Sequence, residues 1–156
     1  MSYVQYTKIP LPERLGIAEG SHINIINNAS FEFEDSLPVG ARIHHNSKMR
    51  SDIALAFVIS EADVISLFMH AQEIVYSVGC IWIASFTDNR LIDWAKLKQQ
   101  ARLYGLADEG FTYITSFATA TKFRIKKQRD RAERDLTNVY GRLNFLETKW
   151  QEQSRG

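Results

Sequence analysis

Small polar and acidic side chains follow three apolar segments of the sequence, where they could contact a small molecule. Asn27 and Asn28 follow HINII, Ser60 follows IALAFVI, and Asp88 comes two residues after CIWIASF. Amide, hydroxyl and carboxylate groups can hydrogen-bond a base or a ribose, and open α/β sheets bind ligands beyond the carboxyl ends of their strands. The sequence therefore predicts a ligand pocket formed by Asn27, Asn28, Ser60 and Asp88.

The turn after the first apolar segment argues against a nucleotide cofactor. Dinucleotide sites place glycines in this turn, because a side chain there blocks the approach of the ligand. The segment INNASFEFED contains no glycine and carries acidic residues that repel phosphate. We expect that the turn leaves too little room for a nucleotide and that the chain uses no cofactor.

The histidines and serines give no recognised catalytic or metal-binding pattern. His44 and His45 are adjacent, so in a strand they point to opposite faces and cannot both bind one ion. His22 and His70 are isolated, and we expect His70 to be a core histidine of a buried helix. The sequence has no G-x-S-x-G motif, so we assign no metal site and no catalytic residue.

A strand–helix–strand unit is the clearest element of the chain. The apolar run 53–60 predicts a strand that is covered on both faces. Ser60 and Asp63 form a partial capping box for a helix over 61–78, in which apolar residues recur at helical spacing. Gly79 follows as the expected C-cap, and the apolar residues 80–86 predict a second, parallel strand.

Further elements extend the order on both sides of this unit. Short strands are expected at 22–29 and, at a sheet edge, at 41–47. A second helix is expected from about 90 to 104, capped by Asp88 or Asn89 and ended by Gly105. The runs EGFTYITSFA and TKFRIKK predict an antiparallel hairpin at the other edge. This order predicts an α/β fold with a doubly wound, mostly parallel sheet whose last strand is reversed, as in methyltransferase-type domains.

Length and composition set the organisation of the chain. We divide its 156 residues into an extended arm (1–20), an α/β Rossmann-like domain (21–126) and a C-terminal helix (127–156). The formal net charge is +1, and no apolar run approaches the roughly 20 residues of a membrane span. The single cysteine, Cys80, suits a reducing compartment and is expected to be buried and inert. We expect a cytoplasmic protein that does not bind membranes.

The C-terminal segment has the pattern of an interaction helix. Apolar residues recur there every three or four positions: Leu136, Val139, Leu143, Leu146 and Trp150. Such a stripe favours a helix that associates with a second copy or another protein, or one that packs on its own sheet.

A basic patch precedes this helix. Residues 122–135 carry seven basic and three acidic residues, a local net charge of +4. The basic side chains include Lys122, Arg124, Lys126, Lys127 and Arg129. They could contact the phosphates of a nucleic acid, or be solvated and paired with the interleaved acids.

Several quoted segments together carry a family resemblance over about residues 10–126. The segments are PLPERLGIAEGSHINIINNA, LPVG, DIALAFVISEADV, GCIWIASF, GLADEGFTYI and TKFRI. They resemble an uncharacterised bacterial domain family with a truncated methyltransferase-like fold, which implies the fold but no activity. This chain departs from the family in having Ser85, Phe86, Thr87 and Asp88 where members have a basic loop. It also has Phe117 near the position of a usual tryptophan.

These observations favour a non-catalytic α/β domain that acts through protein–protein association, as a homodimer or with a partner, by its C-terminal helix. One alternative is a divergent S-adenosylmethionine-dependent, methyltransferase-like enzyme whose ligand lies among Asn27, Asn28, Ser60 and Asp88. Another is a nucleic-acid-binding accessory protein that uses the basic patch.

Overall fold

A single mixed sheet of six strands organises the computed structural model, which describes residues 9–126. The strands are β1 (His22–Ile26), β2 (Arg42–His45), β3 (Ser51–Phe57), β4 (Val75–Phe86), β5 (Leu106–Thr115) and β6 (Ala118–Ile125). Their spatial order is β2-β1-β3-β4-β6-β5. The first four are parallel and β6 runs antiparallel to both of its neighbours. The predicted α/β class, the edge strand β2 and the C-terminal hairpin are confirmed.

One face of the sheet is covered by helices. These are α2 (Glu61–Met69), α3 (Ala71–Ile74) and α4 (Trp94–Ala101), which continues into a 3₁₀ turn at Arg102–Tyr104. Val64 and Phe68 of α2 and Leu97 of α4 are buried against this face, where they meet Ile83 and Phe123 of the sheet. Burial of this apolar surface is the main source of stability for the helical layer.

The other face is covered by irregular chain and by the short helix α1 (Leu11–Arg14). Leu11, Leu15 and Ile17 are buried there in one cluster with Ile25 and Leu55 of the sheet. Residues 9–20, which we placed in an extended arm, are therefore a packed layer over the part that the structure describes. The sheet needs this cover because its strands are apolar on both faces.

Two connections on opposite faces reverse the strand order at β1, so that β2 and β3 lie on either side of it. The connection from β1 to β2, residues 27–41, places Phe31, Phe33 and Leu37 on the irregular face. The connection from β2 to β3, residues 46–50, passes over Asn24, whose side chain points to the helical face because Ile23 and Ile25 point to the other. The sheet is thus doubly wound in connectivity, but neither connection is a helix.

The predicted helix over 61–78 is too long. The helical backbone ends at Ile74, and β4 begins at Val75. The segment VYSVGCIWI is rich in β-branched and aromatic residues, so its strand preference and its pairing with β3 override the helical spacing. Gly79 therefore lies inside β4 rather than at a helix end, Val78 is exposed, and so is His70, which we expected in the core.

The observed N-cap of α2 agrees with the predicted one, and that of α4 differs. Ser60 and Asp63 form a complete capping box at the start of α2, as predicted. The helix α4 begins later than predicted, because Asp93, rather than Asp88 or Asn89, caps it through Lys96 N. The predicted end holds: Gly105 has a φ of 79°, a left-handed conformation that glycine adopts without strain.

The remaining predictions about the ends of the chain lie outside the described residues. These are the C-terminal helix with Leu136, Val139, Leu143, Leu146 and Trp150, and the basic residues Lys127 and Arg129. In the part of the chain between residues 9 and 126, no helix combines the length and the apolar character needed to cross a bilayer.

Candidate functional site

A cavity of about 280 Å³ lies at the carboxyl ends of β1, β3 and β4, where the strand order of the sheet reverses. The hairpin between β5 and β6 closes its far side. This is the topological switch point, the place where open α/β sheets bind ligands. The site location that the strand ends predicted therefore coincides with an open crevice.

The turn after β1 forms one wall of the cavity. Asn27 and Asn28 both line it. Asn27 has a φ of 65°, and its N–H donates to Asn46 Oδ1 at 3.0 Å. Asn28 accepts hydrogen bonds at its carbonyl from Phe31 N, 3.1 Å, and at its Oδ1 from Ser30 Oγ, 3.1 Å. The turn is thus held by its own hydrogen bonds and by the side chain of Asn46, and Asn27 adopts the left-handed backbone that asparagine tolerates better than most residues.

Three aromatic side chains form part of the remaining wall. Phe31, Phe57 and Phe86 line the cavity together with the aliphatic Ile114. The rings of Phe31 and Phe57 are in contact, with centroids 5.4 Å apart, and Phe33 packs edge-on against Phe31 at 5.0 Å. The ring of Phe31 is therefore fixed between two others. This wall was missed at the sequence level, although the alternation in FEFED places Phe31 and Phe33 on one side of an extended segment.

Ser60 and Asp88, the other two predicted pocket residues, do not line the cavity. Ser60 Oγ accepts the Asp63 N–H at 3.3 Å, so its hydroxyl is used to cap α2. Asp88 is exposed in the loop after β4. Of the four predicted pocket residues, only Asn27 and Asn28 line the cavity.

The mouth of the cavity is built from three loops that hydrogen bonds connect. Asn89 Nδ2 donates to the carbonyl of Ile59 at 3.1 Å, and Asn89 N donates to the carbonyl of Phe86 at 3.1 Å. Thr87 N donates to the carbonyl of Phe117 at 2.8 Å, which ties the hairpin tip to the end of β4. These bonds fix the positions of Ile59, Phe86 and Phe117 around the opening.

Among residues 9–126, those that line the cavity include no charged side chain, and their polar side chains are amides and hydroxyls. Two residues of the predicted basic patch lie elsewhere, on β6. Lys122 Nζ lies 3.7 Å from Glu109 Oε1, and Arg124 pairs with the other oxygen of the same carboxylate. Glu109 thus offsets part of the positive charge that the sequence indicated.

Cysteine and histidine side chains add no reactive centre in the described range. Cys80 is buried, as predicted, and burial raises the pKa of its thiol to about 11. Within residues 9–126, no group of three or more His, Cys, Asp or Glu side chains is arranged to hold a metal ion. His22 Nδ1 and His44 Nε2 lie 2.9 Å apart on β1 and β2, as a hydrogen-bonded pair.

Comparison with known proteins adds evidence about the fold. No family model matches the chain. No curated protein matches it either. Solved structures do: the DhpI–SAH complex has a TM-score of 0.50 at 8% identity, covering 81% of this chain and 88% of that one.

Two further similar structures are named as methylases. The ribosomal protein L11 methylase of Lactobacillus delbrueckii subsp. bulgaricus has a TM-score of 0.48 at 7% identity, covering 74% of each chain. A TehB-like SAM-dependent methyltransferase of Corynebacterium glutamicum has a TM-score of 0.47 at 12% identity, covering 69% of this chain and 82% of that one.

A likeness at such low identity describes the fold alone. The likeness to DhpI, the strand order and the reversed strand β6 together show that the chain is an α/β domain with a fold similar to that of DhpI. Because no family model matches the chain, its predicted membership of an uncharacterised domain family stays a prediction.

Proposed function

We propose that this chain is a divergent, methyltransferase-like domain that binds the adenosine part of S-adenosylmethionine or S-adenosylhomocysteine in the strand-end cavity. The observation that carries the proposal is the position of the cavity at the switch point between β1 and β3. The similar fold of DhpI, which was solved with S-adenosylhomocysteine, supports the choice of ligand. This proposal replaces the non-catalytic interpretation as our leading hypothesis.

The shape and chemistry of the cavity suit a nucleoside. An adenine ring is flat and uncharged, and the rings of Phe31, Phe57 and Phe86 offer apolar surface against which it can stack. The amides of Asn27 and Asn28 can each donate and accept, which matches the ring nitrogens and the exocyclic amine of adenine. The volume of about 280 Å³ lies just below the range of roughly 300–1,000 Å³ of small-molecule sites, which favours a small ligand such as a nucleoside.

The crowding that we expected from the missing glycines does not occur at this turn. Asn27 takes the left-handed backbone itself, and the side chains of the turn border the cavity instead of filling it. The lack of glycine in INNASFEFED is therefore compatible with a bound nucleoside.

The amino-acid end of such a ligand has no charged partner in the cavity lining. Its carboxylate and ammonium groups would have to remain in water at the mouth, because burial of an unpaired charge costs too much free energy. Bound S-adenosylmethionine would supply an electrophilic methyl group. The side chains of this chain would orient the adenosine part and exclude water from it.

Isothermal titration of the full chain with S-adenosylmethionine, S-adenosylhomocysteine and adenosine tests the proposal. We expect all three to bind, and Phe31→Ala to weaken each of them at least tenfold. Phe111→Ala is the matched control, because Phe111 is a half-exposed phenylalanine on β5 that does not line the cavity. No heat of binding for any of the three at millimolar concentration would disprove the proposal.

A further inference from the structure

Four large apolar side chains are exposed on the hydrogen-bonded loops that border the cavity. The exposed fractions are 68% for Ile59, 60% for Phe86, 76% for Leu91 and 70% for Phe117. We refer to these four residues as the rim patch. Single exposed apolar residues are normal on a protein surface, but a cluster at the entrance of a cavity indicates a binding surface.

The rim patch is held in place by the backbone. Asn89 connects the loops of Ile59 and Phe86, and its Oδ1 also accepts the N–H of Leu91 at 2.9 Å. Phe117 is tied to the same loop through Thr87 N and lies between Thr115 and Ala118, which line the cavity. The exposed side chains are thus carried by loops that are fixed to one another, so binding does not require these loops to be ordered first.

The rim patch continues the cavity wall. Ile59 and Phe86 line the cavity and are also mostly exposed, so one apolar surface runs from the cavity to the outside. Charge gives no reason to expect an ionic partner. The loop between Phe86 and Leu91 carries one acid, Asp88, and one base, Arg90, and the carboxylate of Asp63 accepts the N–H groups of Ile59 and Ser60.

We propose that the rim patch binds an uncharged, aromatic small molecule beside the cavity, as the second ligand of this site. The proposal rests on the proposed function in that it places this molecule next to the adenosine part of the first ligand. Because the rim patch continues into a cavity whose volume suits a small molecule, it fits a small ligand better than the flat surface of another protein. The two phenylalanines of the rim favour a ring that can stack on them.

The test uses the full chain and a neutral aromatic probe, N-phenyl-1-naphthylamine, whose fluorescence rises in an apolar site. We expect Phe117→Ser and Leu91→Ser to raise the probe Kd at least tenfold. Val78→Ser is the matched control: Val78 is 91% exposed and lies on β4 eight residues before Phe86, about 26 Å away along the strand. Equal probe affinity in the wild-type chain and both rim variants would overturn the proposal.

Two parallel measurements separate the possible failures. If none of the three adenosyl ligands binds but the probe binds through the rim, the proposed function fails and the rim proposal stands. If adenosine binds and the rim substitutions leave the probe unaffected, the rim proposal fails alone. If light scattering shows a dimer that Phe117→Ser converts to a monomer, the rim is a contact between copies and the proposal is also overturned.

Discussion

Asn24 binds both backbone polar groups of Ser47 with the two ends of its amide. Its Nδ2 donates to the Ser47 carbonyl at 3.1 Å, and its Oδ1 accepts the Ser47 N–H at 2.9 Å. Asn24 is 1% exposed in the centre of β1, so this side chain replaces the hydrogen bonds that a helical connection between β2 and β3 would make internally. The short crossing at 46–50, and with it the position of β2, depends on this pair.

Asn24→Ala should destabilise the fold by about 1 to 3 kcal/mol, because the substitution leaves backbone groups of the crossing without partners in a half-buried position. Urea unfolding measures the change. Gln99→Ala, on the exposed side of α4, is the control and should change stability by less than about 0.5 kcal/mol. Equal stability of the two variants would show that the crossing does not need the amide.

Gly79→Ala should cost about 1 to 3 kcal/mol for a steric reason, because a β-carbon at Gly79 would collide with the Asp52 carbonyl oxygen of the adjacent strand. Gly105 is the contrasting case: a β-carbon there meets nothing within 4 Å, but the φ of 79° strains any side chain. Asparagine tolerates that backbone, so Gly105→Asn should be more stable than Gly105→Ala, whereas Gly79→Asn should be no better than Gly79→Ala. A thermal melt of the four variants checks this order.

The pair formed by Glu61 and Lys96 links α2 to α4 and should give a pH-dependent contribution to stability. The side-chain bond to Lys96, 2.6 Å, and the bond from Asp93 N lower the pKa of Glu61 below its usual 4.5, and the same pair raises the pKa of Lys96 above 10.5. Because the pKa of Glu61 is lower in the folded chain than in the unfolded chain, the pair stabilises the fold at pH values above the unfolded-state pKa. This stabilisation is lost as the pH falls through the folded-state pKa. Because the pKa of Lys96 is higher in the folded chain, its contribution to stability is complete at pH values below the unfolded-state pKa. It is lost as the pH rises through the folded-state pKa.

The coupling between Glu61→Gln and Lys96→Met, measured by a double-mutant cycle in urea, should therefore be constant from about pH 5 to pH 10 and weaken as the pH falls progressively below 4.5, the usual pKa of Glu61. Coupling that stays unchanged while the glutamate is protonated would mean that the two side chains interact without their charges.

Cys80 should resist modification in the folded protein. Because burial raises the pKa of its thiol to about 11, little thiolate is present at pH 8, and the side chain is also inaccessible. With Ellman's reagent we expect one slow thiol in the wild-type chain and a second, at least about 100-fold faster thiol in Val78→Cys. Fast reaction of the wild-type chain without denaturant would contradict this assignment.

The sequence predicted the elements that depend on local pattern. The capping box of Ser60 and Asp63, the apolar strands β3 and β4 and the final hairpin all follow from residue types at short spacing. The strand ends also predicted where the cavity lies, since a parallel sheet gathers its carboxyl ends at one edge.

The features that were missed depend on contacts between distant segments. Leu11, Leu15 and Ile17 form a short, irregular apolar pattern, and only the uncovered face of the sheet explains why they pack. The cavity wall of Phe31 and Phe57 joins residues from two strand ends, which no local period could reveal. Val75 continues the helical spacing of the apolar residues before it, so the sequence pattern predicts a helix there. It lies in β4 because it pairs with Ser51 of β3.

The buried indole N–H of Trp82 donates to the carbonyl of Leu15 at 3.0 Å, across the face without long helices. This bond joins the irregular layer to the sheet, and within residues 9–20 the helix of that layer, α1, has only four residues. Its amide protons should exchange with solvent faster than those of α2 and α4. A molecule that enters the cavity would slow exchange at 27–31 and leave α4 unchanged, so deuterium uptake locates an occupant even before its chemical identity is known.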